Sequence, residues 1–300
     1  MIKIVECVPN ISEGRDSAVV EQIADAAAQT PGCTLLGCES DPSHNRSVIT
    51  FIGGPEAVVE AAVALAVKAA GLIDLTRHQG EHPRMGAVDV IPFIPIRGVD
   101  MGECVALSKL AGERIAREAG LPVILYEESA SAPHRRNLAD VRRGQFEGLP
   151  EKLQKPEWTP DFGGPAMHPT GGVVAVGARM PLIAFNINLG TDNLSIAKEI
   201  AKVIRQSSGG LPHVKALGIM LEERNTAQVS INMTDYTRMP LYRVVEVVRF
   251  EAARYGVPIT GTEIVGLTPT NALIDSAVYY LGLERFDREG QVLENHLSAE

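Results

Sequence analysis

Asn10-Ile11-Ser12-Glu13-Gly14-Arg15-Asp16 and Asn186-Ile187-Asn188-Leu189-Gly190-Thr191-Asp192 spell the same corner, N-I-x-x-G-x-D, in two halves of one chain. Each corner follows an apolar run that reads as a strand, Ile2–Val8 and Leu182–Asn188, and each precedes a helical pattern. Asp16 and Asp192 stand where a helix takes its N-cap. Turn chemistry alone favours Asn, Gly and Asp at such corners, so the repeat gains its weight from what surrounds it.

Outward from the first corner, Ser17–Gln29 places Val20, Ile23, Ala24 and Ala27 on one helix face and stops at Pro31-Gly32. Cys33–Cys38 and Arg46–Ile52 read as strands. Pro55 opens a helix at its first turn, where a missing N–H costs nothing, and Gly71 ends it. Ala87–Ile96 reads as a strand, with Pro92 and Pro95 predicting an edge or interrupted one. Outward from the second corner come helix Leu194–Gln206 with its stop Ser208-Gly209-Gly210, then strands Val214–Leu221 and Gln228–Met233. Pro240 opens a helix that Gly256 ends, and strand Val257–Val265 follows. The order β-α-β-β-α-β occurs twice. It predicts an α/β protein of two similar split-βαβ subdomains with mixed sheets and outer helices, residues 1–178 and 179–300. Met101–Gly148 adds a helix, a strand at Pro122–Tyr126 and an Arg-rich helical stretch. Residues 150–172, with Pro150, Pro156, Pro160, Pro165, Pro169 and four glycines, read as the linker between halves.

The chain has 300 residues, 45% of them hydrophobic, and a formal net charge of −9. That acidity argues against nucleic acid and anionic membranes as partners, since both need basic surface. Ala57 to Ala70 is apolar but carries Glu60 and Lys68 and is too short to cross a bilayer. Cys7, Cys33, Cys38 and Cys104 form no C-x-x-C pair and read as free thiols. With no signal-peptide pattern at Met1–Glu6, the expected location is the cytoplasm.

Three segments could carry chemistry. Arg77-His78-Gln79-Gly80-Glu81-His82-Pro83-Arg84 contains H-x-x-E-H, a zinc-protease pattern that works only on a helix. Gly80 interrupts it and Pro83 pushes His82 out of helical geometry. The expectation is a loop that presents His82 to a cleft, without metal. Arg77, Glu81 and Arg84 could tune its imidazole, an acid raising the pKa and an arginine lowering it. The second segment is Gly163-Gly164-Pro165-Ala166-Met167-His168-Pro169-Thr170-Gly171-Gly172, whose glycines allow close approach to a flat ligand; it matches neither nucleotide-binding glycine pattern. The third is basic: Arg135, Arg136, Arg142, Arg143 and Arg179 could clamp carboxylates, although at least two of the first four read as a solvated helix face. Asn10, Asn186 and Asn188 could aim amides into a cleft, or merely brace turns.

These residues carry a resemblance. The chain resembles the glutamate formiminotransferases along nearly its whole length, through Val5–Asn10 with Ser12-Glu13-Gly14, Gly80–Gly86, Tyr126, Asp140–Gly144, Pro160–Gly164, Gly177-Ala178-Arg179, Leu182–Leu189, Ala227–Ser230 and Ile264–Leu267. The resemblance implies two similar α/β halves, folate in the groove between them, and usually a homodimer. It implies transfer of the formimino group from N-formimino-L-glutamate to N5 of tetrahydrofolate, a co-substrate, with no metal. It places the catalytic histidine at His82 and the folate-binding segment at Gly163–Gly172. Arg84, Arg179, Asn10 and Asn188 are candidate substrate ligands. Family members usually carry Asp in the strand end at 36–41. Here the segment reads Gly37-Cys38-Glu39-Ser40-Asp41, so Glu39 or Asp41 would take that acid's place. No cyclodeaminase segment is recognised, so the next folate step is expected on a separate protein. Two other readings use the same residues: a folate-binding protein without turnover, and a hydrolase of formimino-glutamate.

Overall fold

A computed structural model describes residues 2–296. It divides into two compact units, Met1–Arg179 and Met180–Glu300.

The first unit begins with β1 (Ile4–Cys7) and β2 (Asn10–Ile11), two pieces of one interrupted strand, since both pair with the same two neighbours. Then follow α1 (Ser17–Ala28), β3 (Cys33–Asp41), β4 (Arg46–Gly53), α2 (Pro55–Leu72), β5 (Val88–Arg97), α3 (Met101–Glu118) and β6 (Val123–Glu127). Two short helices, α4 (Leu138–Arg142) and α5 (Gln145–Lys152), precede β7 (Val174–Ala178). β4 runs between β1/β2 and β3, which forms the edge. On the other side of β1/β2 lie β5, β7 and β6, joined in parallel.

Local chemistry explains the helices. Asp16 caps α1, its carboxylate accepting from the Ala18 and Val19 N–H groups at 3.0 and 3.2 Å. Val20, Ile23, Ala24 and Ala27 are its buried stripe. Asp100 and Glu103 form a reciprocal capping box at α3. Val5, Cys7, Ile49 and Phe51, on one face of the sheet, join these helices in a core.

The second unit comprises β8 (Ile183–Leu189), α6 (Leu194–Ile204), β9 (Val214–Leu221), β10 (Thr226–Met233), α7 (Leu241–Ala253), β11 (Ile259–Val265), α8 (Thr270–Leu281) and the single turn α9 (Arg288–Gln291). Its antiparallel sheet has the order β11-β8-β10-β9. The first strand of the motif thus lies between the fourth and the third, the arrangement that β5, β1/β2, β4 and β3 take in the first unit. The duplication read from the two corners is a duplication of topology.

Several expectations need correction. β5 is neither an edge nor broken. Pro92 lies opposite the break between β1 and β2, and Pro95 lies past the end of the β7 pairing. Both prolines therefore sit where one side of the strand has no partner, which is where a missing N–H is tolerated. Residues 150–172 are not a linker between the units. They strap the first unit, with Phe162 bridging Val123 and Gly172 bridging Gly86, and then lead into β7, a central strand that sequence reading missed. The Arg-rich stretch is two short elements, a single turn at Pro133–Arg135 and α4, rather than one helix. The cap of α6 is Asn193, not Asp192. Gly71 lies inside α2.

Gly172 shows why the strap is glycine-rich. Its φ is +66°, and a Cβ there would lie 2.1 Å from the Met85 carbonyl oxygen. Gly172→Ala is therefore expected to cost about 2–4 kcal/mol, combining left-handed strain with a backbone clash. Urea denaturation checks it; a loss under about 0.5 kcal/mol would show that the strap moves aside freely.

Candidate active site

The segment between α2 and β5 carries His82, and it is held against the turn between β3 and β4. The Glu81 N–H donates to the Ser43 carbonyl at 3.2 Å, and Asn45 Nδ2 donates to the Gln79 carbonyl at 3.0 Å. Gly80 permits the approach, because a Cβ there would meet the His44 carbonyl oxygen at 2.3 Å. His78 is a brace. Arg84 Nε donates to its Nδ1 at 3.1 Å, which leaves Nε2–H to donate to the Asn45 carbonyl at 2.8 Å. Both ring nitrogens are thus engaged within the protein. Among the described residues no group of three or more His, Cys, Asp or Glu is arranged to hold a metal.

His82 is 8% exposed. Its Nε2 is buried without a hydrogen-bond partner and lies 3.8 Å from Asp89 Oδ2, beyond hydrogen-bond length but within ion-pair range. Asp89, at the start of β5, is fully buried. Oδ1 accepts the Met85 N–H at 2.8 Å, and Oδ2 accepts from Arg142 Nε at 2.7 Å. Burial disfavours the Asp89 carboxylate, but Arg142, His82 and the Met85 N–H outweigh it, so the carboxyl ionises below its usual range. For His82 burial is the largest influence and lowers the proton affinity. Arg142 and Arg46 act in the same direction, and Asp89 opposes them. The result is a neutral imidazole at neutral pH beside a carboxylate that stabilises it once protonated.

The partners that tune His82 are therefore not those of its own loop. Glu81 is exposed, and the Arg77 side chain is 89% exposed. Arg84 is buried but committed elsewhere, donating to both Glu147 oxygens at 2.7 and 2.8 Å. That pair holds the Glu147 carboxyl down to about 2. Arg84 is a structural tie between the His82 loop and α5 rather than an available clamp. Among the other arginines, Arg136 and Arg143 are exposed, whereas Arg135 is buried and ties the strap through Asp161 and the Glu157 and Thr159 carbonyls. Of the four, Arg142 acts on the histidine through its charge and bonds Asp89 beside it. Its helix is held by Lys152, whose ammonium donates to the carbonyls of Asp140, Val141 and Arg143 and lies 3.9 Å from the Trp158 ring centre.

The strand register gathers further candidates. Asn10 and Glu39 both pair with Val48, and Asp41 pairs with Arg46. Cross-strand partners share a face, so Asn10, Glu39, Asp41 and Arg46 occupy one side of the sheet, while Ile49 and Phe51 of the same strand enter the core. Asn10 Nδ2 also braces its own turn through the Val8 carbonyl at 3.2 Å. Arg179 ends β7, its N–H on the Phe93 carbonyl at 3.1 Å. Burial raises the Glu6 carboxyl above its usual range with the Arg179 charge opposing it, and Arg179 also acts on Tyr126, whose hydroxyl burial pushes up to about 12. In the segment Gly163–Gly172, the stretch Gly163–Ala166 is exposed beside Pro122 and Ala116. Gly171 and Gly172 are buried against the His82 loop, with the Ala87 N–H on the Gly171 carbonyl at 2.9 Å. His168 Nδ1 accepts the Gly171 N–H at 2.8 Å. Asn188 belongs to the second unit. There Gln228 Nε2 donates to Asn188 Oδ1 at 2.8 Å and to Glu263 Oε1 at 3.0 Å, and Asn186 donates to the same Glu263 oxygen.

A buried neutral imidazole between a carboxylate and two guanidiniums suits proton transfer on an anionic substrate. Comparison with known proteins places the chain in a class. Residues 4–179 match the model of the formiminotransferase domain, N-terminal subdomain, and residues 184–294 match that of the formiminotransferase domain. The chain belongs to the formiminotransferase family. It is 56% identical to a glutamate formimidoyltransferase of Streptococcus pyogenes, over 99% of each chain. It is 48% identical to a protein of the same name from Thermoplasma acidophilum, over 99% of this chain and 98% of that one. It is 47% identical to the formimidoyltransferase-cyclodeaminase of Gallus gallus, covering 95% of this chain and 54% of that protein. Among the described residues no helix is long and apolar enough to cross a membrane.

Proposed function

We propose that this protein transfers the formimino group of N-formimino-L-glutamate to N5 of tetrahydrofolate and releases glutamate, with His82 carrying the proton. The observation that supports His82 most is its setting: a buried imidazole, 3.8 Å from a fully buried carboxylate, with burial lowering its proton affinity. N5 attacks the formimino carbon, a tetrahedral intermediate forms, and the C–N bond to glutamate breaks. N5 must lose a proton and the departing amine must gain one. With Nε2–H turned toward Asp89, Nδ1 is the basic nitrogen that takes the first proton and returns it to the amine. Asp89 stabilises the imidazolium in between. General acid–base transfer of this kind is usually worth about 10²–10⁴ in rate, and holding both substrates together supplies a further part.

Mixing the purified protein with N-formimino-glutamate and tetrahydrofolate and following 5-formimino-tetrahydrofolate tests the proposal. Glutamate release without folate would instead indicate a hydrolase, and folate binding without release a carrier.

The segment Gly163–Gly172 is proposed to meet the folate through its exposed half. Gly171 and Gly172 are already held by backbone hydrogen bonds. Added reduced folate should therefore slow amide exchange at residues 163–167 and leave 171–172 little changed. Unchanged exchange at 163–167, with folate binding measured separately, would remove the segment from the site.

A further inference from the structure

Arg46 is a cation of the His82 site that neither the loop pattern nor the glycine segment identifies. It opens β4, and its Nε is buried without a hydrogen-bond acceptor. The acids near it, Asp41 and Asp89, act on it through space. Asp89 accepts from the Met85 N–H and from Arg142 Nε. Asp41 accepts the Ser43 and His44 N–H groups at 2.9 Å through Oδ1, and its Oδ2 is 2.7 Å from His44 Nδ1. Two guanidiniums, Arg46 and Arg142, thus act on His82, while the one buried carboxylate among them bonds only Arg142.

The backbone at Arg46 is closely packed. Gly14 packs so closely that a Cβ there would lie 2.6 Å from the Arg46 backbone nitrogen and 2.7 Å from its carbonyl oxygen. Asn45, the preceding residue, accepts the Gly14 N–H at 3.0 Å through its side chain and donates to the His82 loop. The His44 ring stands 6.4 Å from the His82 ring, centre to centre. A single bracket, residues 41–46, therefore carries Arg46 against the loop of the imidazole.

We propose that Arg46 receives the α-carboxylate of the formimino donor. This rests on the reading of His82 as the proton carrier. The nitrogen that His82 must protonate and the α-carboxylate sit on the same carbon of the donor, so a cation on the bracket beside the imidazole matches that carboxylate. The γ-carboxylate lies two methylene groups further out. The glutamyl tail of folate is separated from N5 by the aminobenzoyl group. A buried guanidinium N–H with no protein acceptor forms a charge-assisted hydrogen bond to such an oxygen at little cost of reorganisation.

The test is binding, measured by calorimetry with the unaltered protein, Arg46→Gln and Arg46→Lys. Three ligands are compared: N-formimino-glutamate, its α-amide and its γ-amide. The unaltered protein should bind the α-amide roughly 10–100-fold more weakly than the diacid, the usual range for a lost charge-assisted contact. In Arg46→Gln that discrimination should fall to within about threefold, while the γ-amide penalty and tetrahydrofolate Kd stay unchanged. Arg46→Lys keeps the charge without the planar fork and should fall between, and it carries the test if Arg46→Gln does not fold. Persistence of the α-amide penalty in either variant, a collapse confined to the γ-amide, or no donor binding by the unaltered protein overturns the proposal. Donor binding that depends on Arg46 without any turnover would strike the transferase reading alone.

Discussion

Replacement of His82 by alanine is expected to lower kcat by roughly 10²–10⁴ and leave tetrahydrofolate Kd nearly unchanged. His82→Gln keeps hydrogen-bonding groups but cannot titrate, so it should lose nearly as much. If glutamine preserves turnover, His82 positions substrate instead of moving protons. The acid limb of kcat/KM carries the sign of the electrostatics. The base form must be neutral, and burial with Arg142 and Arg46 lowers the proton affinity of the ring. The limb should therefore fall below the ordinary histidine value of 6.5 and vanish in both variants. His78, four residues before His82, is not a silent control. Its two ring bonds brace the loop, so His78→Ala should lower stability and, through a shifted His82, part of the turnover. Wild-type kcat in His82→Ala would send the proton through water or the substrates.

Removal of the Asp89 charge is expected to act on both folding and catalysis. Asp89→Ala strands Arg142, whose side chain is 17% exposed, beside a buried imidazole, and should cost about 3–5 kcal/mol in chemical denaturation. Pairing it with Arg142→Met should recover part of that loss, and the double-mutant cycle measures the coupling. Asp89→Asn preserves shape and isolates the charge. Without the carboxylate the imidazolium is less stable, the His82 pKa falls further, and the acid limb should move to lower pH as kcat drops. An unmoved limb would mean that Asp89 is purely structural. Because Asp89 ionises below its usual 3.8, its contribution to stability is present above that pH and is lost as the pH falls through the folded value.

The periodic parts of the fold were legible. Val20, Ile23, Ala24 and Ala27 marked a helix face, and the strand–helix order of the two halves predicted the shared topology, because periodicity records which side of an element meets the core. Prolines misled wherever their cost depends on neighbours. Pro92 and Pro95 read as an edge, yet a broken partner strand and a short one leave room for them in a central position. The strap at 150–172 has the composition of a linker, and only its bridges to Val123 and Gly86 reveal a wrapping segment.

By itself, the sequence determined the duplicated α/β order, the irregular loop around Gly80 and Pro83, and the singling out of His82 within it. Asp89 was visible as one acid inside the apolar run Ala87–Ile91, a signal that sequence reading passed over. Only the tertiary structure decided which charges tune His82. It committed Arg84 to Glu147, and it brought Arg142 from α4 and Arg46 from β4 to the imidazole. The reason is physical: a hydrophobic pattern constrains one element at a time, whereas a proton affinity depends on burial and on charges contributed by separate elements, and the packing of the sheet alone sets both.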